Sequence, residues 1–146
     1  MKKFVGTKML EAKPMNRGDY NKYRGWPIPL DENPADEGYL IKYQDGYESW
    51  SPKDVFEEAY RDCTAFTFGI ALELLKKGFK VAREGWNGKG IWLKLIKDWT
   101  VSFDYVEDVK GLCGLDFIAM KTAQDGFVPW IASQTDVLTE DWVIVE

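Results

Sequence analysis

Hydrophobic and polar residues follow two different periods along the chain. Between residues 67 and 77, apolar side chains recur every three or four positions, after a threonine suited to an N-cap and before Gly78. This spacing predicts an amphipathic helix at about residues 67–77. Most other apolar segments are short, alternate with polar residues and end near Gly, Pro, Asn or Asp, which is typical of β-strands.

The strand signals account for most of the predicted elements. They lie at residues 4–15, 39–50, 79–84, 90–96, 99–103, 116–122, 127–132 and 142–146. Two hairpins are expected, with turns at Asp45-Gly46 and at Gln124-Asp125-Gly126. The pattern also predicts a loop at residues 16–26, a helix capped by Ser51 and a helical turn beginning at Ser133. The sum is an α+β protein, mainly of antiparallel β-sheet, with one firm helix.

The chain is long enough for one domain or for two small modules. It has 146 residues, of which 45% are hydrophobic. We predict an N-terminal module at residues 1–62 and a second module at residues 63–146. Each half carries an arginine, a Gly-Trp pair and a "QDG" hairpin that ends in Trp, so the first module is a candidate distant repeat of the second. Chance similarity of two hairpins is the open alternative.

Charge and composition exclude several functions. The formal net charge of −5 argues against binding of polymeric nucleic acid through a broad basic face. Histidine is absent, and Cys63 and Cys113 lie far apart, so the usual zinc sites are excluded and neither a metal nor a cofactor is expected. No segment resembles a membrane span or a signal peptide. A reduced cytosolic protein that neither crosses a membrane nor is exported fits these features.

Trp86 stands among three glycines in the segment "REGWNGKG", residues 83–90. Because glycine lets a ligand approach the main chain closely, one interpretation is a flat indole wall on which a base or sugar stacks, with Asn87 donating hydrogen bonds. Such stacking contributes about 1–3 kcal/mol per base. The other interpretation is that Trp86 plugs the end of a sheet and the glycines form an ordinary hairpin. The segment lacks the pattern of a phosphate-binding loop.

A second candidate site is the segment "PWIASQTDVLTEDW", residues 129–142. Pro129 restricts the backbone before Trp130, and four consecutive polar residues follow at a predicted helix start, where free amides attract anions. The simpler interpretation is a capped turn, in which Ser133 and Asp136 form a capping box.

Signals for catalysis are weak. Asp104, Glu107 and Asp108 form a cluster, and Glu140 and Asp141 are adjacent, so a two-carboxylate glycosidase arrangement is conceivable. However, no histidine is available as a base, and neither cysteine has an activating neighbour. Acidic residues of this kind are mostly solvated. We therefore predict no catalytic residue and no enzyme activity.

Three segments of the second module form a specific combination: "REGWNGKG", the turn "MKTAQDG", and "PWIASQTDVLTEDW". In this combination, over residues 67–146, the module resembles the phage Thoeris anti-defence sponge family of the second type, although its turn is one residue longer than the family's pattern. The resemblance implies an oligomeric α+β domain that binds cyclic nucleotide immune signals, notably glycocyclic ADP-ribose, and sequesters them without cleavage. It would inhibit Thoeris-type immunity in the cytoplasm of the infected bacterial host.

The resemblance also implies a pocket between the protomers of a homo-oligomer. In it Trp86 would stack on a ring, Asn87 would hydrogen-bond to the ligand and Trp130 would form a second wall. The polar side would be lined by Ser133, Gln134, Thr135 and Asp136. To these we add Arg83 as the expected partner of a phosphate.

Two other functions stay open at this point. One is a hydrolase of the same signals, and the other is a phage interaction module that uses an aromatic patch. Residues 1–62 resemble a phage module that is fused ahead of such domains and has no assigned activity. If the two modules are related, the tandem chain is expected to form a dimer where shorter family members form tetramers.

Overall fold

The computed structural model describes residues 1–3, 5–86, 90–97 and 114–146. The chain divides into two compact units, Met1–Arg61 and Asp62–Glu146, and each unit has its own β-sheet. Within the described residues, no helix is long and apolar enough to cross a membrane. The strand predicted at residues 99–103 and the acidic cluster predicted at residues 104–108 lie outside the described part of the chain.

The first unit consists of a three-stranded antiparallel sheet and two short helices. Its elements, in chain order, are β1 (Glu11–Pro14), α1 (Arg17–Arg24), β2 (Gly38–Lys42), β3 (Glu48–Pro52) and α2 (Lys53–Ala59). Strand β2 is central, between β1 and β3. Its neighbouring residues Leu40 and Ile41 are both buried, and successive strand residues point to opposite faces, so both faces of β2 are covered.

Helix α1 lies where the sequence predicts a loop, and that prediction was wrong. The helix carries only two aromatic residues and no aliphatic ones, so it has no visible apolar period. It is stabilised at its ends instead. The Asn16 side chain accepts a hydrogen bond from the Asp19 amide at 2.7 Å, and Gly25 ends the helix with a φ of 70°.

Within its described residues, the second unit consists of a five-stranded antiparallel sheet and two helices. Its elements, in chain order, are α3 (Phe68–Lys76), β4 (Lys80–Arg83), β5 (Trp92–Ile96), β6 (Phe117–Lys121), β7 (Phe127–Pro129), α4 (Gln134–Leu138) and β8 (Trp142–Val145). The strand order is β7-β6-β5-β4-β8, so the last strand of the chain pairs with β4 rather than with the preceding strand. In this register Arg83 lies opposite Trp142.

Helix α3 confirms the firmest helix prediction. The Thr67 side chain caps it by accepting a hydrogen bond from the Ile70 amide at 3.5 Å. Ala71, Leu74 and Leu75 form its buried face, which contacts β4, β5 and β8. Together with the fully buried side chains of the sheet, these residues make the core of the second unit. The core members from the sheet and its flank are Phe66, Val81, Leu93, Ala119 and Trp142.

The predicted α+β class with mainly antiparallel sheet is confirmed. Two further local predictions were wrong. The first strand occupies only Glu11–Pro14 of the predicted range. Ser51 is not a helix cap, because it pairs with Tyr39 within the β2–β3 ladder; α2 begins after Pro52, which makes no capping side-chain hydrogen bond.

The two "QDG" turns have the same shape but are shifted by one residue in sequence. In the first turn the Tyr43 amide donates to the Tyr47 carbonyl, and Gly46 takes the left-handed conformation with φ of 84°. In the second turn the Thr122 amide donates to the Gly126 carbonyl, so Asp125, not the glycine, occupies the left-handed position with φ of 61°. The inserted residue in "MKTAQDG" therefore moves the glycine past the position that favours it.

The two Gly-Trp pairs, which form the other part of the candidate repeat, follow different kinds of secondary structure. Gly25 follows helix α1, whereas Gly85 follows strand β4. A distant repeat thus stays a hypothesis for which the hairpins are the remaining support.

Candidate functional site

Four segments of the second unit meet around the indole of Trp142, the first residue of β8. They are the start of α3, the turn after β4, the residue after β7 and helix α4. The antiparallel pairing of β4 with β8 places Arg83 opposite Trp142, and Phe66, just before α3, pairs with Trp142 from its other side. Residues from distant parts of the sequence are in this way brought to one end of the sheet.

An aromatic cluster, made of Phe68, Trp86, Trp130 and Trp142, occupies this end. Trp142 is its centre and has no exposed surface. Its ring centroid lies 5.4 Å from that of Trp86 and 6.1 Å from that of Trp130, with the planes nearly perpendicular. Phe68, Trp86 and Trp130 are half-buried. The cluster therefore closes the core with Trp142 and presents parts of three other rings at the surface.

A charged network, made of Arg83, Asp136 and Asp141, lies beside the aromatic cluster. The Arg83 Nη1 atom is 2.8 Å from Asp136 Oδ1. Its Nε and Nη2 atoms are 2.9 Å and 3.3 Å from the two carboxylate oxygens of Asp141. The guanidinium thus donates to two carboxylates, and the three side chains together carry a net charge of about −1.

Each carboxylate of the charged network has further donors. Asp136 Oδ2 accepts from the amide and the hydroxyl of Ser133 at 2.9 Å and 2.7 Å, and Trp86 Nε1 is 3.4 Å from Oδ1. Asp141 accepts from Thr139 Oγ1 at 2.7 Å and from the Gly85 amide at 3.1 Å. The polar atoms of the network are therefore satisfied within the protein.

These contacts keep the charged network ionised. Hydrogen bonds from Arg83 lower the pKa of Asp141 to about 2, against the opposing effect of burial. For Asp136, burial acts to raise the pKa, but hydrogen bonds from Ser133 and Arg83 outweigh it and the net shift is downward. The same contacts raise the pKa of Arg83. Near neutral pH all three groups are charged.

Helix α4 begins with the capping box that the simpler interpretation proposed. The Asp136 amide donates to Ser133 Oγ at 3.1 Å, and the Asp136 carboxylate accepts from the Ser133 amide. Gln134 and Thr135 lie between them on the exposed side of the first turn. Within the described part of the chain, no hydrogen bond or ion pair occupies these two side chains.

The structure brings most of the sequence-predicted site residues to one place. Trp86 and Trp130 belong to the aromatic cluster, and Arg83 and Asp136 belong to the charged network. Ser133 donates to Asp136, and Gln134 and Thr135 lie on the adjoining helix turn. Asn87 lies outside the described residues.

Sequence reasoning missed Phe68, Thr139, Asp141 and Trp142 as members of this site. The segment "EDW" at residues 140–142 was a usable signal. When an acidic residue directly precedes a buried tryptophan at the start of a strand, its carboxylate lies close enough to contact the neighbouring strand. Within residues 1–3, 5–86, 90–97 and 114–146, no group of three or more acidic or cysteine side chains is placed to hold a metal ion.

The fold and the site together define a small antiparallel α+β domain in which a Gly-Trp turn and a hairpin–helix segment meet at an aromatic cluster. Residues 66–145 match the family model of the Thoeris anti-defense 2-like domain, and the chain belongs to that family. The chain is also 44% identical to Thoeris anti-defense 2 of Bacillus phage SP01 over 90 residues, which cover 56% of this chain and 97% of that protein.

Proposed function

We propose that this chain is a phage anti-defence protein that binds and sequesters cyclic nucleotide immune signals, such as glycocyclic ADP-ribose, without cleaving them. It would thereby inhibit Thoeris immunity in the cytoplasm of the infected bacterium. Family membership supports the anti-defence role. The observation that carries the binding role is the exposure of indole surface on Trp86 and Trp130 beside two unoccupied polar side chains, Gln134 and Thr135.

The aromatic cluster suits the flat parts of such a ligand. A nucleobase or ribose stacked on the open faces of Trp86 and Trp130 would gain about 1–3 kcal/mol per ring. Gln134 offers a donor and an acceptor, and Thr135 offers a hydroxyl. These neutral groups would form hydrogen bonds with the polar edge of the ligand. In this proposal Asn87 also hydrogen-bonds to the ligand.

Arg83 enters the proposal as a residue that holds the site together. The sequence suggested it as a phosphate partner, but its Nε, Nη1 and Nη2 atoms already face Asp136 and Asp141. Because two negative charges surround this one positive charge, the charged network offers no net attraction to a phosphate. Ser133 and Asp136 likewise act on the ligand by fixing helix α4.

The satisfied network favours binding by a preformed site. Trp86 is restrained by contacts with Trp142 and Trp130 and by its approach to Asp136. A sponge needs affinity rather than turnover, and each group that is already ordered before binding lowers the entropy lost on association. No catalytic step is proposed for this site.

An exposed apolar surface adjoins the site and supports a homo-oligomer, a dimer or a tetramer, with the pocket at the subunit interface. It consists of side chains from β7, the segment after it and α4. Its members are Phe127, Val128, Ile131, Val137 and Leu138, and Ile131 is 90% exposed. Exposed apolar side chains grouped on neighbouring segments are typical of an interaction site. We assign no activity to the N-terminal unit.

Isothermal calorimetry with glycocyclic ADP-ribose and a panel of cyclic di- and trinucleotides tests the binding role. We expect at least one of these compounds to bind to the full chain. Gln134→Ala should weaken that binding about five- to twentyfold without changing the melting temperature, because the lost contact is made only with ligand. Trp130→Ala should weaken it by about tenfold or more through lost stacking.

The matched control is Trp26→Ala, which removes a 48% exposed indole from the first unit. It should leave the dissociation constant unchanged. Heat release of the bound compound separates the remaining functions, since recovery of intact ligand supports a sponge and recovery of a cleaved product indicates a hydrolase. If no nucleotide binds or raises the melting temperature, the interaction module is the better account.

A further inference from the structure

Asp141 connects three segments that surround the Trp86 turn. Its carboxylate accepts from Arg83 at the end of β4, from the Gly85 amide within the turn and from Thr139 after α4. Its backbone carbonyl also accepts from the Glu84 amide at 2.9 Å. One residue thus supplies both the backbone and the side-chain acceptors for the amides of residues 84 and 85.

The glycine before Trp86 has a physical reason in this contact. A Cβ added at Gly85 would lie 2.8 Å from Asp141 Oδ2, which is closer than carbon and oxygen atoms pack. A side chain at residue 85 would therefore displace the carboxylate or the turn, so the glycine allows this close approach and is not there to supply a left-handed backbone.

From this geometry we infer that Asp141 is a positioning residue, which fixes the Trp86 turn against α4 so that the indole is held in place for ligand. This inference rests on the proposed function. The Asp141 side chain is not needed for the sheet itself, because the β4–β8 ladder is formed by backbone pairs from Arg83↔Trp142 to Lys80↔Val145. The Asp141 side chain instead restrains the turn that leads to Trp86.

Two substitutions test the inference from opposite sides of the contact. Asp141→Asn keeps the shape of the side chain but replaces one acceptor oxygen by a donor, which then faces the Gly85 amide or Arg83. Gly85→Ala keeps the carboxylate and pushes the turn away from it. Matched controls are Asp125→Asn, which changes an 84% exposed carboxylate, and Gly69→Ala, where an added Cβ meets nothing nearer than 3.7 Å.

Amide hydrogen exchange by NMR on the ligand-free chain is the first readout. In Asp141→Asn and Gly85→Ala, we expect exchange at residues 84–86 to rise by about tenfold or more. The Glu84 and Gly85 amides donate to residue 141, and the Trp86 amide donates to the Arg83 carbonyl within the same turn, so all three lose protection when the turn is released. Exchange at Val81 and Ala82 within β4 should stay as in the parent. The controls should leave the turn protected.

Calorimetry with glycocyclic ADP-ribose is the second readout. Both test variants should raise the dissociation constant by about tenfold, whereas both controls should not, since an unrestrained turn loses entropy on binding. Unchanged exchange at residues 84–86, or faster exchange with an unchanged dissociation constant, would overturn the inference. If the parent chain binds neither glycocyclic ADP-ribose nor any cyclic di- or trinucleotide of the panel, the proposed function fails, and the exchange experiment alone decides whether Asp141 fixes the turn.

Discussion

Trp142→Ala is expected to cause the largest loss of stability of any single substitution in the second unit. Trp142 has no exposed surface and contacts Phe68, Trp86 and Trp130. Removing a buried tryptophan costs about 3–5 kcal/mol through lost transfer energy and the cavity that remains. Whole domains are stable by only about 5–15 kcal/mol, so this unit should be largely unfolded at moderate urea concentrations.

Urea denaturation followed by circular dichroism measures this loss, with two comparisons. Trp142→Phe keeps a large ring but removes the Nε1 donor to the Asp136 carbonyl at 2.9 Å, and should cost about 1–3 kcal/mol. Trp26→Ala removes a half-exposed indole and should cost less than either. Equal midpoints for Trp142→Ala and Trp26→Ala would show that Trp142 is not the centre of the core.

Helix α3, which has a strong apolar period, was predicted from sequence, and helix α1, which has none, was not. Helix α3 was found because Ala71 and Leu75 repeat at helical spacing and Thr67 precedes them. Helix α1 was missed because its stability comes from the Asn16 cap and the Gly25 terminus, and a short polar segment with those residues also reads as a loop. The same ambiguity applies to α2, for which Ser51 was predicted as the cap, whereas the helix begins at Lys53.

The parts of the candidate site that could be predicted are those whose interacting residues lie close together in the sequence. The Ser133 and Asp136 capping box is a local motif three residues apart, so the sequence alone contains both partners. The charged network is not local, because Arg83 is separated from Asp136 by 53 residues and from Asp141 by 58. Such a pair depends on the β4–β8 register, which a single sequence does not fix.

The contacts of the charged network change the role that the sequence suggested for Arg83. From the sequence, Arg83 was expected to be the partner of a phosphate. In the structure its charge is offset by two carboxylates before any ligand arrives. Selectivity for a cyclic nucleotide is therefore expected from rings and neutral polar groups at this end of the sheet, and the charged network acts on binding through the geometry of Trp86 and α4.

Arg83→Met is expected to destabilise the second unit strongly at neutral pH and much less in acid. The side chains of Arg83, Asp136 and Asp141 are 14%, 10% and 29% exposed, so removing the guanidinium leaves two largely buried carboxylates near each other. Breaking such a pair costs about 3 kcal/mol or more at pH 7. Methionine fills similar space, so the loss reports the missing charge.

The pH dependence distinguishes this cause from loss of packing. In the parent the pKa of Asp141 is about 2 and that of Asp136 is also lowered, so their contribution to stability is present above about pH 4 and is lost as the pH falls toward 2. In Arg83→Met the folded-state pKa of both carboxyls should rise, because burial and mutual repulsion then favour protonation. The parent and variant curves of unfolding free energy against pH should converge between about pH 6 and pH 3.

Urea midpoints of the full chain measured from pH 3 to pH 8 check this expectation. Lys53→Met is the matched control, because it breaks an ion pair with Glu37 in which both side chains are at least half exposed, and it should change little at any pH. Adding Asp141→Asn to Arg83→Met should recover part of the loss at pH 7, since one of the two repelling charges is gone. A constant difference between parent and Arg83→Met across the pH range would mean that Arg83 stabilises the unit by packing and not by pairing with the two acids.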